Sequence, residues 1–490
     1  MEKKIIKKEH LNALKHKNKG EIDLSIECYK KIIEYDPKNI TYLQELILIY
    51  KQSKKILDAI DCLKKIVILQ PTNLIMLNEI GICYFTLTKY NDAINYFKQV
   101  LKINNRVPEV YKNIGTCYIN LRDYKLAENN LLVSLRLLDN DDINSALGDL
   151  YFYIKNYNYS ISFYKKIKNI EKNPKCLYNL CFPYLAKKEF IIGLNLYENR
   201  LKFNEIQAQT GQVQRVEIPW LSYWNGINHC DNLLIIYEQG IGDNIQYYRF
   251  IIELSLMYPN MKISYFCRDI VQNIFKTYNN IEIVSNIDNK VGLNYKLYIM
   301  SLPYILKVNN ILPNKEQYIC VNDKKNAFWN DKLSNLKRFK VGFIYNGLLS
   351  SFIEKNIPLD EFKTLCDLDI DLICLHKLGD IQNDINNIDF KDKINCYDID
   401  KEKPFEDTIA ILQNIDLLVT IDTSVTHLAG ILNVRTFLLL GYGSDWRWSD
   451  DNNNTYWYNS VELLRMKENK ELKNIMLIVK NKINEIIKKV

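Results

Sequence analysis

Two short stretches of this chain gather side chains that could act on a polar ligand. In the first, Asp422, Thr423, Ser424 and His427 follow the apolar run Leu417–Ile421 and precede a helix-like face of Leu428, Ala429, Ile431 and Leu432. A second apolar run, Thr436–Leu440, comes next, so the segment reads as strand, loop, helix, strand. Ligands of open α/β sheets bind beside the carboxyl ends of strands. A helix N-terminus there adds free N–H groups and a positive dipole end. Aspartate, hydroxyls and an imidazole at such a place form a candidate pocket for a phosphorylated ligand.

The second stretch is Glu238-Gln239-Gly240-Ile241-Gly242-Asp243, between a strand-like Leu233–Tyr237 and a helix from about Asn244. Gly240 and Gly242 permit a tight turn and close backbone approach. Asp243 either caps the helix, worth ~1 kcal/mol, or aims its carboxylate into a cleft. Glu238 and Gln239 either orient the turn or touch an acceptor. A dinucleotide fingerprint needs a third glycine where Ile245 stands, which disfavours NAD. Arg447, between Trp446 and Trp448, suits either stacking and salt bridging or a phosphate contact.

These residues need a parallel α/β scaffold, and from about Trp220 onward short β-rich runs alternate with helical ones. Strands are expected at Leu233–Tyr237, Ile263–Phe266, Ile281–Val284, Leu297–Met300, Lys340–Tyr345, Asp371–Leu375, Leu417–Ile421 and Thr436–Leu440. A boundary near 335–338 gives two Rossmann-like halves, 231–337 and 338–465, after a linker at 204–230. Residues 466–490 carry Leu472, Ile475, Met476, Val479, Ile483 and Ile486 at helical spacing. That helix is expected to dock, and two Rossmann-like halves let it cross back onto the first; the alternative for a basic amphipathic helix is a membrane surface.

Residues 1–203 are different. Pro37 and Pro71 lie 34 residues apart after similar helical segments. Gly81 and Gly115 repeat that spacing, and Gly148 follows. Tyr50, Tyr84, Tyr118 and Tyr151, then Ala59, Ala93 and Ala127, then Tyr29, Phe97 and Tyr164 keep the same period. A 34-residue helix–turn–helix period resembles tetratricopeptide repeats. Five repeats cover 6–173, and a weaker sixth covers 175–203. Each pair buries its face only against the next, giving an α solenoid with a concave surface for a protein or peptide.

The 490 residues carry 47% hydrophobic and 25% charged residues and a net charge of +7, ordinary for a globular protein. There is no basic stripe with interleaved aromatics, so nucleic acid is not expected. The twelve cysteines form no C-x-x-C pair, which disfavours zinc and suits a reducing cytoplasm. The start, MEKKIIKKEHLN, lacks the apolar core of a signal peptide. No transmembrane run is expected.

The motifs EQGIGDNIQYYR, VGFIYNG with a later NIPL, and DLLVTIDTSVTHLAG with DWRW resemble the heptosyltransferase-like glycosyltransferases, over about 224–465. The likeness is greatest to the branch fused to tetratricopeptide repeats. The resemblance implies a GT-B fold of two Rossmann-like halves. It implies metal-independent, inverting transfer from a nucleotide-sugar donor held by the second half, with the acceptor toward the first. It places a catalytic base at Asp243 and donor contacts at Asp422, Thr423, Ser424 (where many members carry glycine) and His427. Lys355 is the nearest match to a basic residue expected before the Ile-Pro-Leu element. The expected function is thus a glycosyltransferase with no cofactor beyond its substrate, its protein or glycan acceptor presented by the repeats. The alternative is a repeat scaffold whose second half is a degenerate, non-catalytic transferase fold.

Overall fold

The computed structural model describes residues 2–203, 216, 218–287, 292–313, 316–347, 356–441, 445–449, 453–466 and 472–489. Lys355 and residues 204–215 and 217 of the expected linker lie outside them. The chain divides into two compact units, Met1–Ile170 and Glu171–Val490.

The first unit is helical, running α1 (Glu2–Asn18), α2 (Ile22–Tyr35), α3 (Ile40–Gln52), α4 (Ile56–Leu69), α5 (Leu74–Thr86), α6 (Tyr90–Ile103), α7 (Pro108–Asn120), α8 (Tyr124–Leu137), α9 (Asp141–Tyr153) and α10 (Tyr157–Lys165). The periodic small residues explain the pairing. A Cβ on Gly115 would lie 2.6 Å from Leu131 Cγ, and one on Gly148 would lie 2.6 Å from Tyr164 Cε2, so partner helices approach closely. Ala59, Ala93 and Ala127 are fully buried at the matching site of the second helix. Ser25 and Ser160 continue that register at its ends. Their hydroxyls donate to the carbonyls of Ala13 and Gly148, at 2.8 and 2.7 Å.

A further period was not read from the sequence. Gly20, Lys54, Thr88, Arg122, Lys155 and Lys188, spaced by 33 or 34, all have left-handed φ between 58° and 76°. Each ends the first helix of a pair. At Lys54 the closure is of the Schellman kind: the next N–H, of Lys55, bonds Tyr50 O at 2.8 Å, and the Lys54 N–H bonds Lys51 O. Glycine usually fills such a position, and here mostly lysine, threonine or arginine does, which hides the signal.

Lys188 extends this period into the second unit, whose first helices are α11 (Pro174–Ala186) and α12 (Phe190–Tyr197). By sequence they are the sixth repeat. By packing they belong with the α/β part.

Two fully parallel sheets follow. The first has the order β3-β2-β1-β4, from β1 (Asn232–Ile236), β2 (Lys262–Phe266), β3 (Ile281–Val284) and β4 (Tyr295–Tyr298). The second has the order β10-β9-β8-β5-β6-β7. Its strands are β5 (Phe339–Phe343), β6 (Ile370–Cys374), β7 (Ile394–Cys396), β8 (Leu417–Ile421), β9 (Thr436–Leu440) and β10 (Val461–Arg465). Helix α13 (Ile241–Met257) follows β1, α14 (Leu302–Ile305) follows β4, and α15 (Asp323–Leu333) precedes β5. Helix α16 (Leu378–Asn386) follows β6, α17 (Glu406–Leu412) precedes β8, and α18 (Ser424–Ile431) joins β8 to β9. Strand order reverses beside β1 in one sheet and between β5 and β8 in the other, and such reversals open crevices at carboxyl ends.

Three expectations change. Helix α15 was assigned to the first half, yet it packs on α17, and Trp329 donates its indole N–H to the buried Asp407 carboxylate at 2.7 Å. The second half thus begins before α15. The last helix, α19 (Leu472–Ile487), docks on the second half's own turn Leu359–Leu365 instead of crossing back. Lys480 and Lys482 pin it there through Asp367 and Glu462, each at 2.7 Å. Strands β7 and β10 were missed because a three-residue run with a central Asn and a run holding Glu and Arg lack a β pattern.

Candidate functional site

Both chemical motifs lie where the strand orders reverse, and they meet. Gly240 is the N-cap of α13, and Asp243 Oδ2 accepts its N–H at 2.8 Å. Thr423 is the N-cap of α18. The two helices pack on each other. A Cβ on Gly242 would sit 3.0 Å from His427 Cδ2 and 3.4 Å from Ser424 Cα, so the Gly-Asp turn rests directly on the start of α18. A side chain here would have to push the His427 ring back by a few tenths of an ångström.

Asp243 therefore has the capping role, and more. Its Oδ1 pairs with Arg447 Nη1. Asp445 grips the other edge of that guanidinium in a fork, Oδ1 on Nε at 3.0 Å and Oδ2 on Nη2 at 2.9 Å. Burial works against the charge of Arg447, but Asp445 and Asp243 more than offset it and raise its pKa well above the usual value. Arg447 thus takes the salt-bridging role, and its flanking tryptophans serve other partners. Trp448 stacks on His427 with ring centroids 5.5 Å apart, and Trp446 packs near Phe190 of α12.

His427 is buried, with Nδ1 3.0 Å from the Tyr458 hydroxyl. Desolvation pushes its pKa down to about 4 against the opposing pull of Asp422, so it is neutral at pH 7. Asp422, Thr423 and Ser424 are half-buried at the strand end. Thr423 Oγ1 and, at the end of β5, Asn346 Oδ1 are buried without a hydrogen-bond partner among the described residues. Orphaned polar atoms of this kind ask for a partner such as water or ligand.

The remaining loop candidates do structural work. Glu238 is buried and takes Arg200 on both oxygens, with Nη2 at 2.8 Å and Nε at 3.1 and 3.2 Å. Arg200 Nη2 also donates to Ser301 Oγ after β4, and Nη1 donates to Glu198 at 2.5 Å. This network fills the reversal point of the first sheet. Gln239, with φ of 61°, donates its side-chain N–H to the Tyr197 hydroxyl at 2.5 Å. The end of α12 and the residues after it brace the Gly-Asp turn.

Sequence reasoning did not find Arg200, Asp445 or Tyr458. Asp445 stands two residues before Arg447 in DWRW, a spacing that allows the two to pair. Nothing in the sequence links Arg200 to Glu238, 38 residues away. His376, at the end of β6, accepts the Tyr345 N–H at 3.3 Å, and burial pushes its pKa down to about 4.

A cleft of about 660 Å³ lies at the opposite, carboxyl end of α18, lined by Leu312, Glu316, Gly430, Asn433 and Tyr458 among others. Among the described residues no helix is long and apolar enough to cross a membrane.

The tetratricopeptide-repeat family model matches residues 15–39 and 75–106. No curated protein matches the chain. Similar solved structures include a tetratricopeptide repeat protein from Parabacteroides merdae, 18% identical, covering 43% of this chain and 89% of that one with a TM-score of 0.35. A thermophilic repeat protein of Thermus thermophilus is 20% identical over 36% of this chain and 95% of that one, with a TM-score of 0.27. Another is pilF of Pseudomonas aeruginosa, 16% identical over 42% and 99%, with a TM-score of 0.31. On the family match and the periodic packing of its helices, the N-terminal part of this chain is an array of tetratricopeptide repeats.

Proposed function

We propose that the chain is a glycosyltransferase of GT-B type that moves a sugar from a nucleotide-sugar donor to a protein or glycan acceptor presented by the repeats. The observation that carries this reading is the contact of Gly242 with Ser424 and His427, which puts a carboxylate and a helix N-terminus side by side at two strand-order reversals. In this reading Asp243 takes the proton of an acceptor hydroxyl as its oxygen bonds to the anomeric carbon. The nucleoside diphosphate leaves from the opposite face, and the configuration inverts. A positioned base is worth typically ~10²–10⁴-fold. N–H groups at the start of α18, the Thr423 hydroxyl and neutral His427 stabilise the departing diphosphate, and Arg447 adds its positive charge, which His427 already feels. Lys355 keeps its proposed donor role on the resemblance alone. A reducing compartment such as the cytoplasm suits a chain whose twelve cysteines are all free thiols.

A non-catalytic scaffold is the second reading. It is favoured by the full engagement of Asp243, one oxygen on the helix cap and the other on Arg447. For the base to act, an acceptor hydroxyl must reach a remaining lone pair of a carboxylate already held on both oxygens. Sugar transfer by the full chain, with a nucleotide sugar and a cell-extract acceptor pool, separates the two. Transfer that is lost in Asp243→Asn while nucleotide affinity persists supports the enzyme. Transfer at the wild-type rate in that variant removes Asp243 as base, and nucleotide binding without transfer in the wild type favours the scaffold.

A further inference from the structure

Cys374 ends β6 and Cys396 ends β7, and the two are register partners in a parallel pair. Paired residues of parallel strands point to the same face, with strands ~4.8 Å apart. That lies inside the ~4.4–6.8 Å Cα range of disulfides. Asn395 fixes the register by donating its side-chain N–H to Leu372 O at 3.0 Å. Strand β7 is three residues long and bonded on one side only, so it has freedom to close the last fraction of an ångström.

We propose that Cys374 and Cys396 form a reversible thiol–disulfide pair that reacts with low-molecular-weight disulfides. The roles are unequal. Cys396 is half-buried, whereas Cys374 is 1% exposed. The two thiols act on each other, which lowers the pKa of Cys396 and raises that of Cys374. The exposed sulfur is therefore the better nucleophile, since the thiolate is the reacting form. Its thiolate attacks one sulfur of a disulfide RSSR, the S–S bond breaks, and RS⁻ leaves. Cys374 then gives up its proton and attacks Cys396 sulfur, and a second RS⁻ leaves. The balance is RSSR plus two protein thiols giving one protein disulfide and two RSH, with no other oxidant.

The bond would tie the edge strand to the strand that carries Leu375 and His376. Leu375 N–H bonds Phe343 O of β5, and His376 accepts the Tyr345 N–H, so the clamp acts on the carboxyl edge beside the orphaned Asn346.

The test is incubation of the full chain with oxidised glutathione, alkylation, and non-reducing peptide mapping. The proposal expects a Cys374–Cys396 linked peptide, two fewer alkylated thiols out of twelve, and reversal by dithiothreitol. Cys374→Ala should stall at a glutathione adduct on Cys396, and Cys396→Ala should leave Cys374 unmodified. Slower amide exchange at 394–396 should accompany oxidation. A wild-type chain that keeps all its thiols, or links other cysteines, overturns the proposal. So does a folded Cys374→Ala variant with no adduct at Cys396.

Discussion

The carboxylate of Asp243 and the guanidinium of Arg447, 204 residues apart in sequence, form an ion pair that joins the two α/β halves. Both side chains are largely buried, at 14% and 15% exposure. Arg447 is not free to wander, because Asp445 holds its other edge.

The two roles of Asp243 can be separated by unfolding in urea. Asparagine keeps an oxygen for the Gly240 N–H but loses the ion pair. Alanine loses both. Asp243→Asn should cost about 3 kcal/mol, the low end for breaking a buried pair, because Arg447 keeps Asp445. Asp243→Ala should cost roughly 1 kcal/mol more, the value of a cap. Equal costs would mean that the cap contributes nothing.

A second buried pair, Arg200 with Glu238, fills the reversal point of the first sheet. Glu238→Gln leaves a buried guanidinium short of charge and should cost about 3–5 kcal/mol. The double change Arg200→Met with Glu238→Leu should be milder than the single one, since the charge left behind is Glu198, which is 20% exposed and keeps the Ser301 hydroxyl. A double variant as unstable as Glu238→Gln would show that the pair also supplies packing the substitutes cannot.

Acid should loosen the second unit. His427 and His376 have native pKa values of about 4, below the ordinary 6.5, because burial disfavours their charged forms. The unfolded chain therefore binds more protons between pH 6.5 and 4. Stability is full above 6.5 and falls as pH drops through that window, by up to roughly 3 kcal/mol for each histidine. Unfolding midpoints measured from pH 7 to 4 should show this slope, and His376→Gln should remove about half of it, since His427 keeps the rest. A flat profile for the wild type would contradict the burial argument.

In the repeats, Gly148→Ala forces a methyl group against the Tyr164 ring. Overpacking of this kind costs about 1–3 kcal/mol. Shortening the facing side chain with Tyr164→Ala should recover part of that loss, read in thermal melts against the Tyr164→Ala variant alone. No recovery would place the strain elsewhere.

The structure is most legible in the sequence where one residue type has one reason to be there. Gly81, Gly115 and Gly148 mark helix contacts, and β3, β8 and β9 fall on the residues their apolar runs indicate. The meeting of Gly242 with His427 follows from two strand ends and a glycine, but only once the halves are assembled. What could not be read depends on distant partners. Arg200 looks like one more basic residue at the end of a repeat. The left-handed turns at Lys54, Thr88 and Arg122 carry no glycine to announce them. Helix α15 was misplaced because its partner, Asp407, lies 78 residues away.

The central claim is that the start of α18 receives a nucleotide diphosphate. Calorimetric titration of the full chain with UDP, GDP, ADP and CMP, with and without chelator, tests it most directly. The account predicts saturable binding of one nucleotide that persists in chelator and weakens about tenfold or more when a buried hydrogen bond is removed in Thr423→Val or His427→Ala. No binding of any nucleotide, or binding that neither variant changes, would contradict it.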